Sequence, residues 1–181
     1  MKAIETKLKG CFVLEPKIFK DKRGYFFESF NQEKLNQLIN KEVEFVQDNE
    51  SFSSKGVLRG LHYQIGEHAQ AKLVRVIKGK VLDIAVDIRK KSNTFGQYVA
   101  VELSEENKKQ LFVPRGFAHG FVVLSDTAIF SYKCDNFYNK ASEGGIIYND
   151  PKLNIDWQLS ENELLVSEKD VVLPTLENAR L

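Results

Sequence analysis

The sequence is poor in the residues that mark small specialised folds. Its 181 residues include two cysteines, Cys11 and Cys134, and three histidines. Two cysteines so far apart in sequence offer neither a disulfide framework nor a zinc site. We therefore expect two reduced and mostly buried thiols.

Long apolar runs are missing as well. No segment approaches the roughly 20 consecutive apolar residues that cross a bilayer. The first ten residues, Met1 to Gly10, lack the apolar core of a signal peptide. These two absences predict no membrane partner and favour the cytoplasm.

A strong charge of either sign is also lacking. Basic residues number 26 and acidic residues 25, which leaves a net charge of +1. This balance gives no global reason to expect nucleic acid or an anionic membrane as a partner. A locally positive cleft would not be visible in this sum.

Short strand patterns dominate what is present. Hydrophobic residues make up 43% and charged residues 28% of the chain, and its length predicts one globular domain over 1–181. Strands are predicted at 45–53, 57–64, 72–78, 80–89, 97–103, 109–114, 120–125 and 127–134. One helix is predicted over 31–40, with Asn31 as its N-cap and Leu35, Leu38 and Ile39 on its apolar face. Many strands and one helix indicate an all-β sandwich or barrel.

Two local patterns add detail to this prediction. Gly79, within Ile77-Lys78-Gly79-Lys80, supplies the glycine of a tight hairpin. Segment 82–88 alternates, with Leu82, Ile84, Val86 and Ile88 on one face and Asp83, Ala85 and Asp87 on the other. Asp83 and Asp87 are either polar groups that face a cavity or, in the simpler interpretation, charges on an exposed face.

The stretch 55–64 carries ionisable groups where a buried strand is expected. It contains Arg59 and His62, and Lys72 and Tyr132 follow on later predicted strands. Ionisable groups on buried strands are costly unless they are paired or used, because desolvation opposes their charge. A base, a cation and a phenol in this arrangement suggest proton abstraction next to a carbonyl.

A jelly roll of this kind resembles the cupins, which usually bind a metal. Their first metal motif has two histidines two apart and then a glutamate, whereas the matching place here reads His62-Tyr63-Gln64. His119 stands where the histidine of the second motif would lie, and His68 falls in a polar loop. Two strand histidines without a nearby thiolate or a well-placed carboxylate make a poor first-row metal site. We therefore expect no metal.

Segments along nearly the whole chain match one family in order and spacing. They are 21–28, 47–51, 55–64, 70–74, 81–89, 92–96, 114–120, 132–133 and 167–170. In these segments the chain resembles the dTDP-4-dehydrorhamnose 3,5-epimerase family. The resemblance implies a cupin-like jelly-roll barrel with short flanking helices, a dTDP-linked 4-keto-6-deoxy sugar as substrate, and no cofactor or metal.

The resemblance also implies four catalytic residues. His62 would be the base, oriented by Asp170. Lys72 would stabilise the developing enolate, and Tyr132 would return the proton on the opposite face of the sugar. The 4-ketone acidifies the hydrogens on both neighbouring carbons, C3 and C5, and the implied product is dTDP-4-dehydro-L-rhamnose.

Further matched residues would bind the substrate. Arg59 and His119 would contact the sugar and the diphosphate, since a guanidinium binds phosphate oxygens in a bidentate manner. Arg23 and Glu28 match a region that reaches into the neighbouring subunit's site, which implies a homodimer. The other matched binding residues are Gln47, Asp48, Asn49, Tyr138, Glu143 and Lys169, with Tyr138 stacking on the thymine.

Arg59 and His62 raise a geometric question. Residues three apart on a regular strand face opposite sides. Either Gly60 marks a bulge that turns both side chains into the cavity, or Arg59 reaches the phosphate from the rim of the barrel.

Two alternative functions stay open at this point. One is an enzyme that epimerises a single carbon, or isomerises the keto group, of another deoxysugar nucleotide. The other is a non-catalytic ligand-binding barrel or a metal-dependent cupin, which would have little need for both a base and an acid.

Overall fold

The computed structural model describes residues 1–181 and consists mainly of β-strands. The strands are β1 (Lys2–Glu5), β2 (Phe12–Glu15), β3 (Phe19–Asp21), β4 (Gly24–Phe26), β5 (Gln47–Ser54), β6 (Val57–Gln64), β7 (Lys72–Lys78), β8 (Lys80–Asp87), β9 (Tyr98–Ser104), β10 (Gln110–Val113), β11 (Phe117–Val123), β12 (Thr127–Cys134), β13 (Glu143–Gly145) and β14 (Leu165–Val166). One α-helix, α1, spans Gln32–Ile39, and short 3-10 helices span Gly66–His68, Lys140–Ser142, Glu161–Glu163 and Asp170–Val172. None of these helices has the length and apolar character that crossing a membrane requires.

Two main sheets form a sandwich. The first has the strand order β1-β2-β10-β7-β12-β5, and the second has β13-β6-β11-β8-β9 with β14 also paired to β6. Strands β3 and β4 form a separate antiparallel pair. The predicted all-β fold with short flanking helices is confirmed.

Apolar side chains fill the space between the sheets and cover their outer faces. Phe130 of the first sheet stacks on Phe121 of the second, with ring centroids 4.1 Å apart. On the outer face of the second sheet, Ile84 belongs to a cluster that includes Trp157 from the C-terminal segment. On the outer face of the first sheet, Leu35 anchors α1. Apolar packing on both faces therefore fixes the position of each sheet relative to the other.

The predicted helix is confirmed, with one error in its buried face. Asn31 caps α1, because its side-chain oxygen accepts a hydrogen bond from the Lys34 backbone nitrogen at 3.0 Å. Leu35 and Ile39 are buried, but Leu38 is 37% exposed. The short helix contacts the sheet through a narrow stripe at i and i+4, and Leu38 lies beside that stripe.

The predicted hairpin at Gly79 is wrong. Strand β7 pairs with β10 and β12 in the first sheet, whereas β8 pairs with β9 and β11 in the second. Gly79, whose φ is +79°, turns the chain from one sheet to the other. A side chain there would collide with the carbonyl oxygen of Thr127, so the turn requires glycine.

The alternation predicted for β8 is confirmed, but the exposed-face interpretation of its aspartates is wrong. Asp83 and Asp87 are both 0% exposed. The Asp87 carboxylate accepts hydrogen bonds from Arg89, Ser92 and Thr94. Burial is tolerated because polar partners replace the water that each carboxylate loses.

Candidate active site

A cavity of about 720 Å³ opens between the two sheets. Its walls come from β5, β7 and β12 of the first sheet, β6 and β11 of the second, and segment 165–170. The predicted site residues that line it are Asn49, Arg59, His62, Lys72, His119, Tyr132, Lys169 and Asp170. Because all four predicted catalytic residues line one cavity, it is the candidate active site.

His62 is held by a buried carboxylate. Its Nε2 lies 2.7 Å from Oδ1 of Asp170, which is 3% exposed and also accepts a hydrogen bond from the Gly60 backbone nitrogen at 3.2 Å. Burial opposes the charge of Asp170, but the hydrogen bonds from His62 and Gly60 outweigh it and keep the pKa of this carboxyl below its ordinary value. With Nε2 donating to a carboxylate, Nδ1 of the neutral ring is free to accept a proton.

A β-bulge in β6 turns both Arg59 and His62 into the cavity. His62 pairs with His119 of β11 and Arg59 pairs with Phe121, so three steps along β6 match two along β11. The extra residue lies at Gly60, whose φ is +119°. A Cβ on Gly60 would lie 2.7 Å from the carbonyl oxygen of His119, so the bulge requires glycine. Of the two arrangements that the sequence left open, the structure has the bulge at Gly60.

Lys72 and Tyr132 face the cavity from neighbouring strands of the first sheet. The Lys72 Nζ atom lies 5.8 Å from the centroid of the Tyr132 ring. Burial lowers the pKa of Lys72 and raises the pKa of Tyr132. The lysine therefore gives up its proton more readily than a surface lysine, and the phenol keeps its proton to higher pH.

Cys134 lies beside Lys72 in the register between β12 and β7. Burial raises the pKa of its thiol, so it lies next to Lys72 as a neutral group. Cys134 and Cys11 are both free and buried, which confirms the prediction for the cysteines.

His119 is fixed by a carboxylate that the sequence did not identify as its partner. Its side chain is 7% exposed, and Nε2 lies 3.0 Å from each carboxylate oxygen of Asp83. Asp83 comes from β8, which lies next to β11 in the second sheet. Alternation in β8 had allowed a cavity-facing Asp83, but only the pairing of β8 with β11 reveals the contact.

Arg59 is held by a serine that was not among the predicted site residues. Its Nε donates a hydrogen bond to Oγ of Ser53 at 3.2 Å, and Ser51 lines the same cavity. The available signal was the run of small polar residues at Asn49, Ser51 and Ser53, which alternation places on one face of β5.

The predicted binding residues of β5 divide between its two faces. Asn49 lines the cavity, and Gln47 donates a hydrogen bond to its side-chain oxygen at 3.0 Å. Asp48 projects to the opposite face, where its carboxylate lies 2.8 Å from Nζ of Lys133. The structure therefore brings Gln47 and Asn49 together and leaves Asp48 apart from them.

Tyr138, Glu143 and Lys169 form a connected polar group beside the cavity. The Lys169 Nζ atom lies 2.5 Å from one carboxylate oxygen of Glu143, and the Tyr138 hydroxyl donates to the other at 3.1 Å. Lys169 lines the cavity, whereas Tyr138 is 56% exposed. The exposed ring is available to stack on a flat group.

Arg23 and Glu28 do not line the cavity of their own chain. Arg23 sits at the turn between β3 and β4, where its guanidinium pairs with Asp21 at 2.6 Å. Glu28 pairs with Lys34 of α1 at 2.8 Å. Both are solvent-exposed in this chain, so they are accessible to a neighbouring molecule.

His62 and His119 have few other potential metal ligands near them. No group of three or more His, Cys, Asp or Glu side chains is arranged to hold a metal ion. The expectation of a metal-free site stays a prediction.

Comparison with known proteins identifies the family. The family model described as dTDP-4-dehydrorhamnose 3,5-epimerase matches residues 5–178. The chain belongs to the dTDP-4-dehydrorhamnose 3,5-epimerase family. The epimerase of this name from Salmonella typhimurium is 55% identical over 181 residues, which cover 100% of this chain and 98% of the relative. The chain is accordingly an isomerase that acts on carbohydrates and belongs to dTDP-rhamnose biosynthesis.

Solved 3,5-epimerases of dTDP-linked sugars have the same fold. The enzyme from Elizabethkingia anophelis superimposes with a TM-score of 0.95 at 57% identity, covering 98% of this chain and 97% of that one. The epimerase from Legionella pneumophila, solved in complex with dTDP-4-keto-L-rhamnose, gives a TM-score of 0.94 at 50% identity and covers 98% and 93%. These similarities confirm the predicted cupin-like jelly roll.

The chain is also similar to an epimerase whose name indicates that it inverts a single carbon. The 3'-monoepimerase from Streptomyces bikiniensis, solved with dTDP-quinovose, gives a TM-score of 0.88 at 32% identity and covers 98% of this chain and 88% of that one. The jelly roll therefore supports epimerases that differ in the number of carbons inverted.

Proposed function

We propose that the cavity epimerises C3 and C5 of dTDP-4-dehydro-6-deoxy-D-glucose and yields dTDP-4-dehydro-L-rhamnose. The 4-ketone acidifies the hydrogen on each neighbouring carbon, so removal and return of a proton on opposite faces inverts each centre. The reaction needs a base, a group that stabilises the enolate oxygen, and an acid. The observation that carries the proposal is that His62, Lys72 and Tyr132, one group of each kind, line the same cavity.

His62 is the proposed base. Its contact with Asp170 supports this role, because a carboxylate at Nε2 fixes the tautomer and stabilises the imidazolium that proton abstraction creates. Asp170 itself stays ionised, since its pKa lies below the ordinary value. The proton taken from C3 or C5 would bind at Nδ1.

Lys72 and Tyr132 are the proposed enolate stabiliser and acid. A cation fixed in a partly dry cavity stabilises a developing oxyanion more strongly than a cation in water does. The raised pKa of Tyr132 keeps its hydroxyl protonated, so it can deliver a proton to the face opposite His62. The lysine and the tyrosine are on β7 and β12 of the first sheet, and His62 is on β6 of the second, which supports attack from opposite sides.

The remaining residues are proposed to bind the sugar nucleotide. Arg59 and His119 would contact the diphosphate and the sugar, and Lys169 would extend this positive lining towards the cavity mouth. The proposed nucleotide contacts are completed by Gln47, Asp48, Asn49, Tyr138 and Glu143. Tyr138 would stack on thymine, and Asp48 would contribute only after release from Lys133.

We further propose a homodimer in which Arg23 and Glu28 complete the neighbouring subunit's site. Their exposure supports this assignment, since they stand on the β3–β4 turn and the segment that follows it. Phe19 and Phe26, on the same pair of strands, are 52% and 70% exposed. An exposed apolar pair of this kind favours contact with another protein surface.

Proton NMR in D₂O tests the function. The metal-free protein is incubated with dTDP-4-dehydro-6-deoxy-D-glucose, and the signals of the C3 and C5 hydrogens are followed. Loss of both signals, with formation of the rhamno product, is expected; loss of one would instead indicate a single-carbon epimerase or a ketoisomerase. His62→Ala is the control, and full turnover by that variant would contradict the assigned base. Bound iron, zinc or manganese at one ion per chain would contradict the metal-free mechanism.

A further inference from the structure

Asp83 is a buried carboxylate for which the proposed mechanism has no role. It is 0% exposed, and both of its oxygens lie 3.0 Å from Nε2 of His119. Equal contact of two oxygens with one ring nitrogen is the arrangement expected when an N–H group donates to an ionised carboxylate. The contact therefore fixes the proton of His119 on Nε2.

The other edge of the His119 ring faces the cavity. No buried side-chain nitrogen or oxygen in the protein lacks a hydrogen-bond partner, and His119 makes its side-chain hydrogen bonds through Nε2 alone. Its Nδ1 therefore reaches open space, and the open space beside His119 is the cavity. Asp83 thus determines which ring nitrogen meets a ligand.

Asp83 also acts on the charge of Lys72. Burial lowers the pKa of Lys72, and the negative charge of Asp83 opposes that change. Burial raises the pKa of Asp83, and His119 and Lys72 oppose that change. Asp83 and Lys72 therefore stabilise each other's charged forms inside the sandwich.

Other titratable groups around Lys72 do not duplicate this effect. They are Tyr132 and Cys134 of β12, His119 of β11, Glu143 of β13, and the His62, Asp170, Arg59 and Lys169 side chains of the cavity lining. Tyr132 and Cys134 are neutral because burial raises both pKa values. Glu143 is paired with Lys169, and Asp170 with His62. Asp83 remains as the wholly buried carboxylate that acts on Lys72.

We propose that Asp83 is a positioning residue, which holds His119 with Nδ1 towards the substrate and provides a buried negative charge for the Lys72 cation. The proposal rests on the epimerase function proposed above, because it assigns a source to the cation that would stabilise the enolate. Asp83 itself does not line the cavity and acts through His119 and Lys72.

Asp83→Asn separates the two effects. The amide has nearly the same size and keeps an oxygen that accepts from Nε2 of His119, but it carries no charge. The matched control is Asp87→Asn, which removes the other buried carboxylate of β8; that carboxylate is tied to Arg89 and is not part of the cavity lining. Should Asp83→Asn fail to fold, Asp83→Ser keeps an acceptor in a smaller side chain and replaces it.

Two measurements report the charge of Lys72. NMR titration of 15N-labelled lysine in the substrate-free protein, with the Lys72 signal assigned through Lys72→Arg, reports its pKa directly. The pH profile of kcat reports the same ionisation during turnover. In Asp83→Asn we expect the Lys72 titration and the alkaline limb of the profile to move to lower pH by about one unit. The same Lys72 titration in Asp87→Asn should match the wild type.

The position of His119 provides a separate readout. Long-range 15N–1H NMR of the imidazole should show the Nε2–H form in the wild type and in Asp83→Asn. KM should then change little in that variant, and the loss should fall on kcat at high pH. A wild-type His119 with its proton on Nδ1 would overturn the positioning role, and an unchanged Lys72 titration in Asp83→Asn would overturn the charge role. Since both NMR measurements use substrate-free protein, a wild type that turns over no 4-keto sugar nucleotide counts against the proposed function and leaves this test intact.

Discussion

The Nε2 atom of His62 lies 2.7 Å from Oδ1 of Asp170, although 108 positions separate the two residues in the chain. His62 belongs to a central strand of the second sheet, and Asp170 begins a 3-10 helix in the C-terminal segment. The proposed base is therefore complete only when the C-terminal segment has folded against β6.

Asp170→Asn should lower kcat by about 100-fold or more, because an amide neither fixes the same tautomer of His62 nor stabilises its imidazolium. The measurement is steady-state turnover of the 4-keto sugar nucleotide. Glu168→Gln, an exposed carboxylate two residues earlier, is the matched control and should behave as the wild type. Equal loss in both variants would mean that general damage to the C-terminal segment explains the effect.

Tyr132→Phe should separate proton removal from inversion. His62 can still take a proton and return it to the same face, so deuterium exchange from solvent should continue at the carbon beside the ketone. Product of inverted configuration should fall by about 100-fold or more, within the range of general acid catalysis. Proton NMR in D₂O measures both quantities at once.

Tyr63→Phe is the control for the tyrosine. Its hydroxyl donates to the Arg180 carbonyl oxygen at 2.8 Å on the outer side of the second sheet, away from the cavity. The Tyr63→Phe variant should therefore show rates of exchange and inversion close to those of the wild type. Continued inversion in Tyr132→Phe at the wild-type rate would assign the acid elsewhere.

Asp87→Asn should destabilise the fold without touching the cavity. Burial opposes the charge of Asp87, but hydrogen bonds from Arg89, Ser92 and Thr94 outweigh it and lower its pKa to about 2. Relative to an unfolded aspartate near 3.8, this difference contributes about 2 kcal/mol to the free energy of unfolding.

The sign of the shift sets the pH dependence of this contribution. Because the folded-state pKa of Asp87 is the lower one, the stabilisation is present above about pH 4 and disappears as the pH falls towards 2. Urea unfolding of Asp87→Asn and the wild type should differ at pH 7 and converge near pH 2. Asp126→Asn is the control, since Asp126 is exposed and makes no side-chain hydrogen bond or ion pair, and it should be neutral throughout.

A mixing experiment tests whether subunits share sites. Arg23→Ala and His62→Ala should each be nearly inactive as pure proteins. After unfolding and refolding together, a mixed dimer holds one site with neither substitution if Arg23 serves the neighbouring subunit. Random pairing should then restore about a quarter of wild-type activity. If Arg23 serves its own chain, every site carries a substitution and the mixture stays inactive.

The sequence predicted the central strands because their alternation reflects a two-sided environment. All eight predicted strands are present, with ends displaced by a few residues. The other strands, β1 to β4, β13 and β14, have two to four residues each, too few for a period of two to stand out. The hairpin error at Gly79 has a different cause, since a glycine turn has the same local sequence whether the next strand pairs with the previous one or crosses to another sheet.

Prediction of the site depended on the family resemblance. Lys72 and Tyr132 were predicted to lie on strands, and in the structure both side chains line the cavity. No local signal connects Asp170 with His62 or Asp83 with His119, because each pair forms through long-range packing. The exposed-face interpretation of Asp83 failed because a carboxylate's burial depends on a partner from another strand, which alternation within one strand does not reveal.

The bulge at Gly60 changes the alternation of β6, so that the residues that face the cavity are odd-numbered before it and even-numbered after it. Before it, the odd-numbered Arg59 faces the cavity; after it, the even-numbered His62 does, and Leu61 and Tyr63 join the outer cluster. A regularised strand with the same side chains would direct either the guanidinium or the imidazole into hydrophobic packing. A redesign of this enzyme must therefore preserve the count of residues between Arg59 and His62 as strictly as their identities.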